Sequence, residues 1–118
     1  MLSKQSFKDR PLEQRKRDIL AIFKKYPDRV PVCVVKSPNS RIQDLDKEKF
    51  LVPKDITVGE FLYVIRKRIK LEPQQAIFIF FNDTLVNTGT TMQEVYNEHH
   101  DKDDEMLYAT YSSENTFG

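Results

Sequence analysis

The chain has 118 residues, 19 Lys and Arg against 18 Asp and Glu, a net charge of +1 and a single cysteine. That length supports one domain with a real core, and the balanced charge argues against a nucleic-acid binder. Cys33 alone excludes an intrachain disulfide and points to a reducing compartment. No apolar run approaches a membrane span, and the polar, charged N-terminus does not read as a signal peptide. Any meeting with a membrane therefore calls for a covalent anchor or a partner. The charge is unevenly spread, at +5 over residues 1–29, +2 over 30–92 and −6 over 93–118. This polarity predicts different partners for the two ends.

Residues 1–10 are polar around Phe7 and suit a short helical arm. Pro11 fits the first position of a helix, where its missing N–H costs nothing. Leu12, Ile19, Ile22, Phe23 and Tyr26 recur at helical spacing with Lys and Arg opposite, and Pro27 ends the run. Residues 11–26 thus predict an amphipathic helix with a basic outer face. That face reads more economically as the solvated side of a packed helix. The sharper reading is a docking surface for acidic partners, such as tubulin tails or the acidic flanks of a peptide.

Val30–Val35 is a continuous β-branched run broken only by Pro31 and Cys33, as in a strand buried on both faces. Ser37–Ser40 is a turn, and residues 48–52 form a strand that returns beside the first. The stretch Lys47–Pro53 carries lysines and a closing proline around an apolar centre. Such residues protect a sheet edge from unwanted pairing, and a protected apolar edge can still accept a chosen extended peptide.

Thr57 followed by Glu60 has capping-box spacing. Val58, Phe61, Leu62, Ile65 and Ile69 then repeat helically, and Arg66, Lys67, Arg68 and Lys70 suit a helix C-terminus. That basic run is not a nucleic-acid patch, since no aromatic residues are interleaved with it to stack on bases. Ala76–Phe81 is the strongest strand, and Leu85-Val86 is a brief one. Thr91 and Glu94 form a second capping-box match opening a helix through His99. Asp101–Glu105 is an acidic loop, and Met106–Tyr111 is the last strand. A strand pair, a crossing helix and a second pair make a ubiquitin-type β-grasp. The fold class is therefore α+β, with a mixed four-stranded sheet and two extra N-terminal helices on its open face. Residues 1–27 form the helical arm, 28–112 the core and 113–118 a mobile tail.

Several stretches carry a resemblance. They are Lys25–Val32, Asp44–Lys47 with Lys49–Pro53, Thr57–Gly59 with Ile65–Ile69, Glu98–His100 and Asn115–Gly118. Together, in order and over nearly the whole chain, they resemble the autophagy ubiquitin-like modifiers. This is the family of the GABA-receptor-associated protein and microtubule-associated protein light chain 3, and the former branch is the nearer. The resemblance implies a modifier rather than an enzyme. Its C-terminal glycine, here Gly118, is activated, passed through thioesters and joined to phosphatidylethanolamine. Activating and conjugating enzymes and a processing or deconjugating cysteine protease would be partners. The lipidated form would sit on autophagosomal membranes and the free form in the cytoplasm. A glycine suits the chemistry because no side chain crowds its carbonyl.

The resemblance also implies a site for peptides bearing an aromatic residue and an aliphatic one three positions later, as carried by autophagy receptors and adaptors. In an extended peptide these side chains point to opposite sides, so two pockets flank the edge strand. The aromatic pocket would comprise Asp18, Ile22, Pro31, Cys33, Lys49, Leu51 and Met106. The aliphatic one would comprise Phe50, Val52, Pro53, Ile56, Phe61, Val64 and Arg68. Lys47, Lys49 and Arg29 would meet acidic flanks. Cys33 and Met106 depart from the family's commoner branched aliphatic and Phe, and soften the pocket. Binding of this size should be micromolar, with avidity supplied by membrane crowding.

Other chemistries are poorly supported. Cys33 sits in an apolar strand, where a thiol behaves as a small hydrophobe, so a pairing with His99 or His100 is not expected. The two histidines lack a metal-site spacing, no phosphate-binding glycine loop exists, and no cofactor is implied. The rival reading is an unconjugated β-grasp adaptor, or a microtubule-associated protein that uses the basic N-terminal helices.

Overall fold

The computed structural model describes residues 6–114. A 3₁₀ turn at Phe7–Asp9 is followed by α1 (Leu12–Lys25), β1 (Arg29–Lys36), β2 (Lys49–Pro53) and α2 (Val58–Arg68). Then come β3 (Phe78–Phe81), β4 (Thr84–Leu85), α3 (Met92–His99) and β5 (Leu107–Ser112). The strands form one mixed sheet in the order β2-β1-β5-β3-β4. Only the central β1–β5 pair is parallel. This is the α+β, ubiquitin-like arrangement expected from the element order.

The sheet has five strands rather than four. Asn82 and Asp83 both adopt positive φ, 49° and 62°, and make the tight turn that lets Thr84 and Leu85 pair back onto Phe81 and Phe80. Among the described residues the short helical arm is a single 3₁₀ turn, and α1 is the one α-helix before β1. Pro11 is the N-cap of α1 rather than its first helical residue, and its extended ψ of 142° separates the helix from the 3₁₀ turn. Strand boundaries also move: the brief strand expected at Leu85-Val86 is Thr84–Leu85, and the one expected at 48–52 is Lys49–Pro53. β3 begins at Phe78 because that residue pairs with Ser112, the last of β5. Met106 stays out of β5 because its N–H donates to Asp104 Oδ1 at 2.8 Å instead of to a strand.

Helices cover both faces of the sheet, so Val30 to Val34 are all buried. Alternation along β1 sends Val30, Val32 and Val34 to the main core, with Phe50, Val52, Phe61, Ile65, Met92 and Val95. It sends Cys33 to a second, smaller cluster beneath α1. The capping box of α2 is complete. Thr57 N–H donates to Glu60 Oε1 at 3.0 Å, and Glu60 N–H donates to Thr57 Oγ1 at 3.2 Å. At α3 the Thr91 hydroxyl accepts from Glu94 N–H, one half of that arrangement.

Residues of the basic front and of the acidic rear pair with one another. Lys8 Nζ lies 3.0 Å from Asp101 Oδ2. Arg15 pairs with Asp104, whose side chain is fully buried and also accepts from the Tyr108 hydroxyl. Burial alone would raise the pKa of Asp101. Hydrogen bonds from the N–H groups of Asp104 and Asp103 and from the Lys8 ammonium outweigh it and hold the carboxyl below its ordinary 3.8. The long connection between β1 and β2 is pinned from β5. The Tyr111 hydroxyl donates to Gln43 O at 2.8 Å and accepts from Leu45 N–H at 2.9 Å. This fixes where β2 begins.

Candidate peptide-binding edge

β2 has β1 on one side only and is an edge strand. Val34 N–H donates to the Glu48 carbonyl at 2.7 Å. Backbone bonding alternates along an antiparallel pair, so Phe50 and Val52 also turn their main-chain groups toward β1. Lys49 and Leu51 turn theirs outward. The outward Leu51 carbonyl accepts a hydrogen bond from Arg29 Nη1 at 3.2 Å. Arg29, expected to meet flanking charge, thus lies on the free edge itself.

The register places Leu51 opposite Pro31 and Lys49 opposite Cys33, on the α1 face. Cys33 and Met106 are buried in the small cluster with Ile19 and Phe7, and Ile22 packs against it. Burial first, and the nearby Glu48 carboxylate second, push the Cys33 thiol far above its ordinary range. In this cluster it serves as an apolar wall, with its thiolate form disfavoured. Asp18, on α1, is paired with Arg10 at 3.4 Å. The seven residues expected for the aromatic pocket are thus divided among α1, β1, β2 and the approach to β5.

Phe50 and Val52 alternate to the other face, where they join the main core with Phe61. The rings of Phe50 and Phe61 meet edge to face at 5.8 Å. Ile56 packs against that core. It lines a surface groove with Thr57, Gly59, Glu60, Tyr63 and Val64. Val64 and Tyr63 are exposed. Pro53 ends the strand opposite Arg29. Arg68 grips Asp46 with two bonds of 3.1 and 2.9 Å. Its guanidinium and the Lys47 ammonium both lie over the Phe50 ring, at 5.7 and 4.6 Å. Buried aromatic and aliphatic residues thus form a floor, with Ile56, Val64 and cations at its rim.

Sequence reasoning missed two contributors. Glu48 accepts from Ser6 Oγ at 2.6 Å and Phe7 N–H at 3.2 Å, which anchors the N-terminal segment beside β2. Phe7 itself is buried in the small cluster. A lone aromatic residue in a polar arm was the available signal. The basic run is absorbed by structure: Arg66 caps the carbonyls of Gln75 and Glu72. His100 stacks on Tyr96, with centroids 4.8 Å apart, and its Nδ1 lies 2.7 Å from Tyr96 O. Gly118 lies outside the described residues. Among the described residues no helix is long and apolar enough to cross a membrane.

Comparison with known proteins agrees over nearly the full length. The family described as "Autophagy protein Atg8 ubiquitin like" matches residues 14–118. Autophagy-related protein 8 of Candida glabrata is 55% identical over 116 residues, 98% of either chain. Autophagy-related protein 8B of rice, Oryza sativa subsp. indica, is 53% identical over 118 residues, 99% of this chain and 98% of its own. The crystal structure of Trypanosoma brucei ATG8 superposes with a TM-score of 0.85 at 40% identity, covering 98% of this chain and 100% of its own. With an edge strand, a parallel central pair and helices on both faces, the chain belongs to the Atg8 family of ubiquitin-like autophagy proteins.

Proposed function

We propose that this protein is a lipid-conjugated modifier that recruits autophagy receptors by adding their aromatic-x-x-aliphatic motifs to β2. The observation that carries the reading is the free edge. Lys49 and Leu51 present main-chain groups outward, while apolar clusters lie on the two faces of the same strand. An added peptide strand would hydrogen-bond to those groups and send alternate side chains to opposite faces. Asp18, Ile22, Pro31, Cys33, Lys49, Leu51 and Met106 would take the aromatic residue. Phe50, Val52, Pro53, Ile56, Phe61, Val64 and Arg68 would take the aliphatic one. Lys47 and Arg29 would meet acidic flanks, with Arg29 moving off the Leu51 carbonyl as the peptide pairs.

In this reading residues 1–27 are an arm on a core of residues 28–112. Residues 113–118 reach into the activating and conjugating enzymes and the cysteine protease. Gly118 would form thioesters and then an amide with phosphatidylethanolamine, moving the protein from cytoplasm to autophagosome. The protein does no chemistry of its own in this scheme.

Two substitutions test the two halves separately. Leu51→Ala should weaken a motif peptide roughly tenfold by calorimetry while the thermal transition stays intact. Unchanged affinity would refute the edge assignment. Gly118→Ala should abolish attachment to phosphatidylethanolamine liposomes in a reconstituted reaction and leave peptide binding alone. Normal attachment would remove the modifier reading.

A further inference from the structure

We propose that Phe7 is an intramolecular occupant of the aromatic pocket, so that a receptor motif must displace the N-terminal segment in order to bind. The proposal rests on the pocket assignment above and concerns how that pocket is regulated.

Phe7 belongs to a single 3₁₀ turn at the start of the described chain, yet it is 1% exposed. Its burial cluster contains Cys33 and Met106, two expected pocket walls, and Ile22 packs against the same cluster. A third expected wall, Lys49, holds its ammonium 5.6 Å from the Phe7 ring centroid. A fourth, Asp18, is paired with Arg10 of the same segment, and the Arg10 guanidinium in turn lies 5.6 Å from that ring. The segment is also anchored beside the edge strand. Phe7 N–H and Ser6 Oγ both donate to the Glu48 carboxylate, just before β2. Leu51, further along the edge, is outside this cluster, and its carbonyl is held by Arg29 rather than by the segment.

The physics favours a removable plug. A pocket lined by Cys33, Met106 and Ile22 gives up dispersion contacts when empty, and one aromatic ring restores them. The rest of the segment is lightly fastened. It is one turn of 3₁₀ helix, and its ion pairs, Lys8 with Asp101 and Arg10 with Asp18, are substantially solvent-exposed. A motif whose aromatic residue enters the pocket would take over the Phe7 contacts, and its acidic flank would meet the cations that Phe7 now shares. The apparent affinity then falls by the fraction of molecules in which the pocket is open.

The test is calorimetry on the full chain with a synthetic aromatic-x-x-aliphatic peptide carrying an acidic flank. Phe7→Ala should bind about tenfold more tightly than the parent, because the competitor is gone. Ser6→Ala, which removes a hydrogen bond that holds the segment to Glu48 and touches no expected pocket wall, should shift affinity the same way by a smaller factor. It decides the matter should Phe7→Ala unfold. Cys33, the only thiol, gives a second readout. Its reaction with a thiol reagent should speed up in Phe7→Ala and slow again when peptide is added. Unchanged or weaker binding by a folded Phe7→Ala, or by Ser6→Ala alone, would overturn the plug while leaving the pocket standing. Loss of the peptide-dependent protection of Cys33, with no binding by any variant, would instead remove the pocket reading and the plug with it.

Discussion

The two faces of the sheet are built differently. The α2 side is a large core: Val30, Val32, Val34, Phe50, Val52, Phe61 and Ile65 pack with α3 and with the inner residues of β3 and β5. The α1 side has a cluster of four buried residues, Phe7, Ile19, Cys33 and Met106. What that side lacks in apolar area it replaces with polar fastening. Arg15 reaches the buried Asp104, Glu48 holds Ser6 and Phe7, and Lys8 reaches Asp101. A large apolar core is non-directional and hard to open locally, whereas a small cluster held by a few polar contacts can be opened at little cost to the whole. The same strand, β2, borders both. That places a loosely fastened cluster next to a large, rigid core.

If the α2 side carries the stability, its residues should be the most costly to remove. Phe61→Ala takes a ring from the middle of the core and from its edge-to-face contact with Phe50. It should lower unfolding free energy by about 3–5 kcal/mol in urea denaturation. A loss as small as that of a surface substitution would reverse the comparison. On the α1 side the costly residue is polar. Asp104→Ala removes the buried carboxylate that pairs with Arg15 and accepts from the Tyr108 hydroxyl and the Met106 N–H, and should cost about 3 kcal/mol. The effect should be accompanied by faster hydrogen exchange in α1. An equal loosening of α2 would show that the two sides are not separable.

The smallest effect expected is that of pH on the Lys8–Asp101 contact. The Asp101 carboxyl is held below its ordinary value in the folded protein. Its contribution is therefore complete above about pH 4 and is lost as pH falls through the lower, folded value. Amide exchange at residues 6–10 should rise over that acid range in the parent. In Asp101→Asn it should be raised already at neutral pH and change less. A pH response in the parent equal to that of the variant would remove this contact from the set of fasteners.

Much of this protein was written locally. Thr57 and Glu60 three residues apart produced a complete capping box. The unalternating run from Val30 produced a strand buried on both faces. Apolar residues at helical spacing produced α1 and α2 within a residue or two of the expected bounds. These signals survive because each depends on neighbours close in the chain. The opposite orientation of Phe50 and Leu51 on the edge strand was legible for a related reason: the period of two along β2 assigns them to opposite faces once both faces are known to be covered.

Other features were decided only when distant segments met. Strand ends were set by where partners end, as Phe78 shows against Ser112. The acidic stretch after α3, which by itself is a loop, supplies a buried carboxylate for Arg15 from 89 residues away. In the same way Phe7, an isolated aromatic residue in a polar arm, becomes a buried side chain among the expected walls of a pocket. Its 41-residue separation from Glu48 has no period or spacing in the sequence to announce it. Local pattern determined which elements form and which face of each is apolar. The tertiary structure decided which charges are spent on holding the N-terminal segment and what fills the space beneath α1.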